Sequence, residues 1–170
     1  MKTEIFPVVD EQGHVIGKAS RQLCHSGSFL LHPVVHLHLL DSRGRLYLQK
    51  RSAGKDIQPG KWDTSVGGHV DYGESIEEAL FREAREELGL KNLVPVFMHR
   101  YIFRSSVETE LVNSYYTRSE EIPEPDPVEI SEGRFWTAAE IEEAMGRDVF
   151  TPNFEDEFRQ LMAAGLLPVR

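Results

Sequence analysis

The run Ser75 to Leu88, SIEEALFREAREEL, contains neither proline nor glycine and is built mostly of strong helix formers. Gly89 directly after it supplies a natural C-terminal stop. On the helix this spacing predicts, Glu83 and Glu87 lie four residues apart, and Glu83 and Glu86 three. Their carboxylates therefore share one side, within an arc of roughly 100°. Like charges at such spacings cost a helix roughly 0.2–0.5 kcal/mol per pair. A hard divalent cation, which takes several oxygen ligands at close range, is a fitting compensation. Arg82 lies four residues before Glu86 and is also placed to pair with Glu74, fixing the preceding loop against the helix. The bland alternative is a solvated acidic face softened by Arg82 and Arg85.

Around this helix the pattern is strand-rich. Phe6 to Ala19 has the form of a hairpin turning at Glu11–Gly13. Leu31 to Leu40 is an apolar run interrupted by His32, His36 and His38. After a turn at Asp41–Gly44, RLYLQKR alternates like a strand paired back on it. A loop from Ser52 to Lys61 leads to a short strand, WDTSV. Further strands are expected over Leu93–Phe103, Glu110–Thr117 and Ile130–Trp136, and closing helices near Ala138–Met145 and Asn153–Ala164. This order predicts an α+β fold, or a mixed sheet between helices, rather than a regularly alternating parallel one.

At 170 residues the chain is expected to form a single domain, residues 1–170, with an N-terminal hairpin extension over 1–30. A formal net charge of −9 argues against a partner made of nucleic-acid polymer, which calls for a basic patch. A phosphorylated ligand is compatible with that charge if it is reversed locally by Lys, Arg or a divalent cation. The single cysteine, Cys24, forms no intrachain disulfide and suits a reducing compartment. Neither a secretory leader nor an 18-residue apolar span is visible, so the expectation is a cytoplasmic protein without a membrane partner. Nothing in the sequence bears on oligomeric state.

The segment from Gly68 to Leu90 matches G-x5-E-x7-R-E-U-x-E-E-x-G-U at all nine specified positions over 23 residues. Gly68, Glu74, Arg82, Glu83, Glu86, Glu87 and Gly89 fall on its named residues. By this match the chain resembles the Nudix hydrolases. The resemblance implies a Nudix fold, an α/β/α sandwich with a mixed β-sheet between helices, and a loop–helix–loop over 68–90 that holds magnesium or manganese. It further implies Glu83, Glu86 and Glu87 as catalytic metal ligands, Gly68 as a backbone feature of the metal loop, and Glu74, Arg82 and Gly89 as structural members. The implied substrate is a small-molecule diphosphate, typically a nucleoside diphosphate linked to another group.

The stretches VVDEQGHVIGKASR and KRSAGKDIQPGKWDTSVGGH resemble the branch containing isopentenyl-diphosphate isomerase and its hydrolase-like relatives. That resemblance implies a second divalent-metal site from His25, His32, His69, Glu108 and Glu110, a mixed imidazole and carboxylate set suited to manganese, zinc or iron. It also implies diphosphate contacts from Arg21, Arg51 and Lys55, with Arg51 carrying the fork for bidentate contacts. Each residue has a plainer interpretation: His32 as a core histidine, Glu108 and Glu110 as a solvated strand face, the basic residues as surface charge. His36 and His38 match no motif position.

One departure discriminates within the branch. The isomerase carries a proton-transferring cysteine immediately before the Gly-His of the signature, and here that position is Gly67. Glu110 matches the opposing glutamate, and Trp136 fills an aromatic position shared with hydrolases. Together with the intact signature, Gly67 favours hydrolysis of a diphosphate. An isomerase-like enzyme and a non-catalytic metabolite-binding protein are the alternatives.

Overall fold

The computed structural model describes residues 3–55 and 57–170. The chain opens with a hairpin of β1 (Ile5–Val9) and β2 (Val15–Ser20), which forms its own two-stranded sheet. A four-residue helix, α1 (Arg21–Cys24), follows where no element was expected from the sequence; the Ser20 side chain caps it by accepting from Leu23 N.

The main sheet contains β3 (Leu31–Leu40), β4 (Leu46–Arg51), β5 (Trp62–Asp63), β6 (Val66–His69), β7 (Val96–Arg104), β8 (Thr109–Arg118) and β9 (Ile130–Trp136). Only the pairing of β3 with β8 is parallel, so the sheet is mixed. The expectation that RLYLQKR pairs back on the preceding strand holds only where the two strands meet. β4 meets β3 at Leu40 and Leu46 and then leaves it, running instead along β9 from Leu46 to Arg51. In the gap so opened β6 joins β3, pairing Leu37 with Val66 through Val34 with His69.

The expected single strand WDTSV is accordingly two, β5 on β4 and β6 on β3. Ser65 makes the division possible. Its hydroxyl accepts from Leu39 N at 2.9 Å and donates to the Tyr47 carbonyl, so it serves backbone groups of both diverging strands. Unpaired buried backbone groups are costly, and one side chain bridges the fork.

Helices cover both faces. α2 (Ile76–Leu88) starts in a capping box, with Glu78 N donating to the Ser75 hydroxyl and Ser75 N to the Glu78 carboxylate, each at 3.1 Å. It ends at Gly89 in the left-handed region, φ 66°. Ala79, Leu80, Ala84 and Leu88 face the sheet and pack with Val35, Leu37, Leu39 and Val66. Burying each of the two leucines contributes roughly 1.5–3 kcal/mol. On the opposite face α3 (Ala138–Ala144) and α4 (Pro152–Ala163) cover a core of Leu40, Leu46, Leu48, Trp62, Trp136, Phe150, Phe154 and Phe158. The result is the expected α/β/α sandwich with its N-terminal hairpin. Among the described residues no helix is long and apolar enough to cross a membrane.

Candidate active site

Because side chains alternate along β3, its odd-numbered residues Val35, Leu37 and Leu39 meet α2, whereas Leu40 joins the core under α3 and α4. The chemistry-bearing groups gather where β6 fills the fork and α2 crosses behind it.

Arg82 organises the α2 side. Its guanidinium grips Glu74 through two bonds, Nε to Oε2 at 2.8 Å and Nη2 to Oε1 at 3.0 Å, and donates from Nη2 to the His69 carbonyl at 3.0 Å. This fork holds the Glu74 carboxyl below its usual range. Arg82 Nη1 also reaches Glu83 at 2.8 Å and Glu86 at 3.3 Å. The loop is thereby tied to the helix, as the spacing of Glu74 and Arg82 suggests.

The three glutamates are not equivalent. Glu86 is exposed, whereas Glu83 and Glu87 are half-buried. The carboxylate of Glu83 lies so close to Gly68 that any Cβ there would overlap it, which accounts for glycine at this position. Glu87 Oε2 accepts from Gly67 N at 3.1 Å and stands 3.5 Å from Gln49 Nε2, so it spans the fork between β6 and β4. Burial, and then the charge of Glu83, pushes the Glu87 carboxyl up to about 8, and burial raises Glu83 as well. Two half-buried carboxylates on one side of a helix, of which only Glu83 has a cationic partner in Arg82, form an oxygen donor set that fits magnesium or manganese.

A second group lies at the near end of β3 and β6. His25 Nε2 is 3.1 Å from His69 Nε2 and 2.7 Å from Glu108 Oε2, and His32 Nε2 is 3.6 Å from the same oxygen. The ligating atoms of His25, His32, His69 and Glu108 all lie within 4.8 Å of one another. His32 Nδ1 donates to the Leu30 carbonyl at 2.9 Å, which turns Nε2 inward, where it has no hydrogen-bond partner among the described residues. Convergent donor atoms of this kind fit a transition metal, whose nitrogen ligands sit roughly 2.0–2.1 Å from the ion. Glu110, the fifth residue of the expected set, stands at the margin, its Oε2 4.0 Å from His69 Nε2. Burial, and then the Glu108 charge, pushes the Glu110 carboxyl up to about 7.

Phe6 from the hairpin stacks on His69 at 4.5 Å between ring centres and on His32 at 5.8 Å. It orients two members of the group and has no sequence signal beyond being a strand aromatic. Gln49 and the Gly67 amide are likewise absent from the sequence expectation.

The basic residues converge. Lys55 is lowered by its burial and by the neighbouring charges of Arg51 and Arg21, while Glu87 acts in the opposite sense. Arg21 also acts on His25 and His69. Each of the three has an acidic neighbour: Glu4 for Arg21 at 2.8 Å, Asp63 for Arg51 at 3.7 Å, and Glu129 for Lys55. Arg51 Nε further donates to the Ile57 carbonyl at 3.0 Å. Cys24 is buried and free, and the isomerase cysteine position is Gly67, with room for a side chain beside the His36 ring.

A mixed sheet between helices, crossed by a glycine-bounded acidic helix, defines a loop–helix–loop protein of the α/β/α class. A NUDIX domain profile matches residues 30–154, and the chain belongs to the Nudix family. It is 34% identical over 156 residues to an isopentenyl-diphosphate Delta-isomerase of Streptomyces griseus subsp. griseus, covering 88% of this chain and 79% of that one. It is 32% identical over 162 residues to an uncharacterised Nudix hydrolase of Streptomyces coelicolor, covering 94% and 89%. Among solved structures, a Deinococcus radiodurans protein superposes with a TM-score of 0.78 at 30% identity, covering 92% of this chain and 98% of that one.

Proposed function

We propose that this protein is a metal-dependent phosphohydrolase that cleaves the diphosphate linkage of a nucleoside diphosphate derivative or another organic diphosphate. The observation that carries this reading is the pair of half-buried carboxylates, Glu83 and Glu87, both raised by burial, beside the exposed Glu86 on α2. These three hold magnesium or manganese, and Gly68 lets the Glu83 carboxylate lie against the backbone. The metal supplies Lewis-acid polarisation of the phosphoryl group and a lowered pKa for water. In the net reaction a water oxygen bonds to phosphorus, the bridging P–O bond breaks, and the protons of water are shared between the two products. Arg21, Arg51 and Lys55 bind the diphosphate, supplying the local positive charge that a net −9 conceals. Glu74, Arg82 and Gly89 hold the loop and helix in register, and His25, His32, His69 and Glu108, with Glu110 at the edge, hold a second divalent metal. The reaction takes place in the cytoplasm.

The isomerase reading is favoured by the names of several relatives and by the histidine group. Gly67 opposes it, because glycine carries no side chain to move a proton.

Phosphate or pyrophosphate release should be measured against nucleotides, nucleotide sugars, dinucleoside polyphosphates and isopentenyl diphosphate, with magnesium and with manganese. Hydrolysis of at least one substrate is expected, with turnover lowered at least about a hundredfold in Glu87→Gln at unchanged thermal stability. Conversion of isopentenyl to dimethylallyl diphosphate without hydrolysis would replace this reading by the isomerase one. Tight ligand binding with no turnover would replace it by a binding protein.

A further inference from the structure

His36 and His38 lie outside both metal groups, on the α4 side of β3, and share one partner. Glu157 of α4 is wholly buried. Its Oε1 lies 2.9 Å from His36 Nδ1 and accepts from Tyr101 Oη at 2.6 Å, and its Oε2 lies 2.5 Å from His38 Nε2. Sealing a carboxylate in a core costs several kcal/mol unless a cation and hydrogen bonds compensate it. An apolar residue would fill the same space without that cost, so the arrangement calls for a use.

Of the two histidines on Glu157, His36 alone keeps any exposure. Glu157 and His38 are 0% exposed and His36 is 8% exposed. With Nδ1 committed to Glu157, the Nε2 edge turns toward β6, where a Cβ on Gly67 would stand 3.7 Å from Nε2. No hydrogen bond engages His36 Nε2 among the described residues. Gly67 N in turn donates to Glu87, so His36 and the metal-binding helix flank the same side-chain-less residue. The groups that face His36 are Glu157 of α4, Glu110 of β8, Asp63 of β5, His69 of β6, Tyr101 of β7 and its own strand neighbour His38. Burial lowers the imidazole, but the Glu157 charge and hydrogen bond outweigh it and raise His36 to about 9.

We propose that His36 is a substrate contact: an imidazolium, positioned by Glu157, that donates its Nε2–H across Gly67 to a non-bridging oxygen of the substrate diphosphate. This rests on the diphosphate reading above. Glycine at position 67 then has a positive role, leaving open the approach that a cysteine would obstruct. Glu157 is a positioning residue, since it acts only through His36.

The test is binding of methylenediphosphonate with magnesium, a diphosphate mimic that cannot be hydrolysed at its bridge. It uses the full chain labelled with 15N at histidine, with His36 assigned through the backbone. The His36 Nε2 resonance is expected to shift on titration while that of His38 holds still. His36→Gln should weaken binding at least roughly tenfold, the scale of a charge-assisted hydrogen bond, and Glu157→Gln should weaken it in the same sense with His36 still present. If His36→Gln fails to fold, the resonance in the unaltered protein decides. Methylenediphosphonate that saturates the protein without moving His36 overturns this inference alone. A protein that neither binds the mimic nor turns over any diphosphate overturns the reading beneath it, and the inference with it.

Discussion

Gly68 shows how one missing side chain organises a charged site. The Glu83 carboxylate occupies the volume a Cβ would need, so even alanine must push the carboxylate away from the backbone. Gly68→Ala should weaken magnesium binding roughly ten- to hundredfold, the range typical of disturbed ligand supports, measured by calorimetric titration. Global stability should change little, because the added Cβ meets the end of the Glu83 side chain rather than backbone. Arg82 is the complementary case, in which one guanidinium meets Glu74, Glu83, Glu86 and the His69 carbonyl. It links the loop, the acidic helix and the strand that carries His69.

At the scale of elements, the contact of β3 with α4 through His36 and Glu157 ties stability to pH. The His36 pKa is raised from 6.5 to about 9 in the fold. Its contribution is therefore complete below about 6.5 and is lost as pH rises through about 9. Glu157 is held well below its ordinary 4.5 by His36 and His38 against the opposing effect of burial. Its contribution is present above 4.5 and lost as pH falls below it. Thermal melts across this range should show a decline between pH 6.5 and 9 that is absent in the double variant His36→Gln, Glu157→Gln. The same pair shows where sequence stops informing. The boundaries of α2 are legible because Ser75, Glu78 and Gly89 cap it locally, and β9 matches its expected span of Ile130–Trp136. The fork of β3 and β4 is not, since it depends on Ser65 bridging strands brought together only by folding. Nor is the purpose of His36 and His38, whose partner lies about 120 residues away in a helix that reads as ordinarily amphipathic. The signature positions are local and legible, whereas Phe6 and Gln49 enter the site only through tertiary contacts.

Across the whole molecule, the two candidate metal groups draw on different parts of the chain. The glutamates of α2 come from one continuous helix, whereas the histidine group combines His25 just after α1, β3, β6 and Glu108 beside β8. His25→Ala should accordingly remove one transition-metal equivalent per chain, counted by elemental analysis after manganese or zinc loading, while the α2 site keeps its magnesium affinity. His25 and the stacking Phe6 both precede residue 30, where the family match begins. The histidine group proposed as a second metal centre therefore combines residues that precede that match with residues inside it. Substitutions confined to residues before 30 can thus alter the proposed histidine centre while leaving the glutamates of α2 in place.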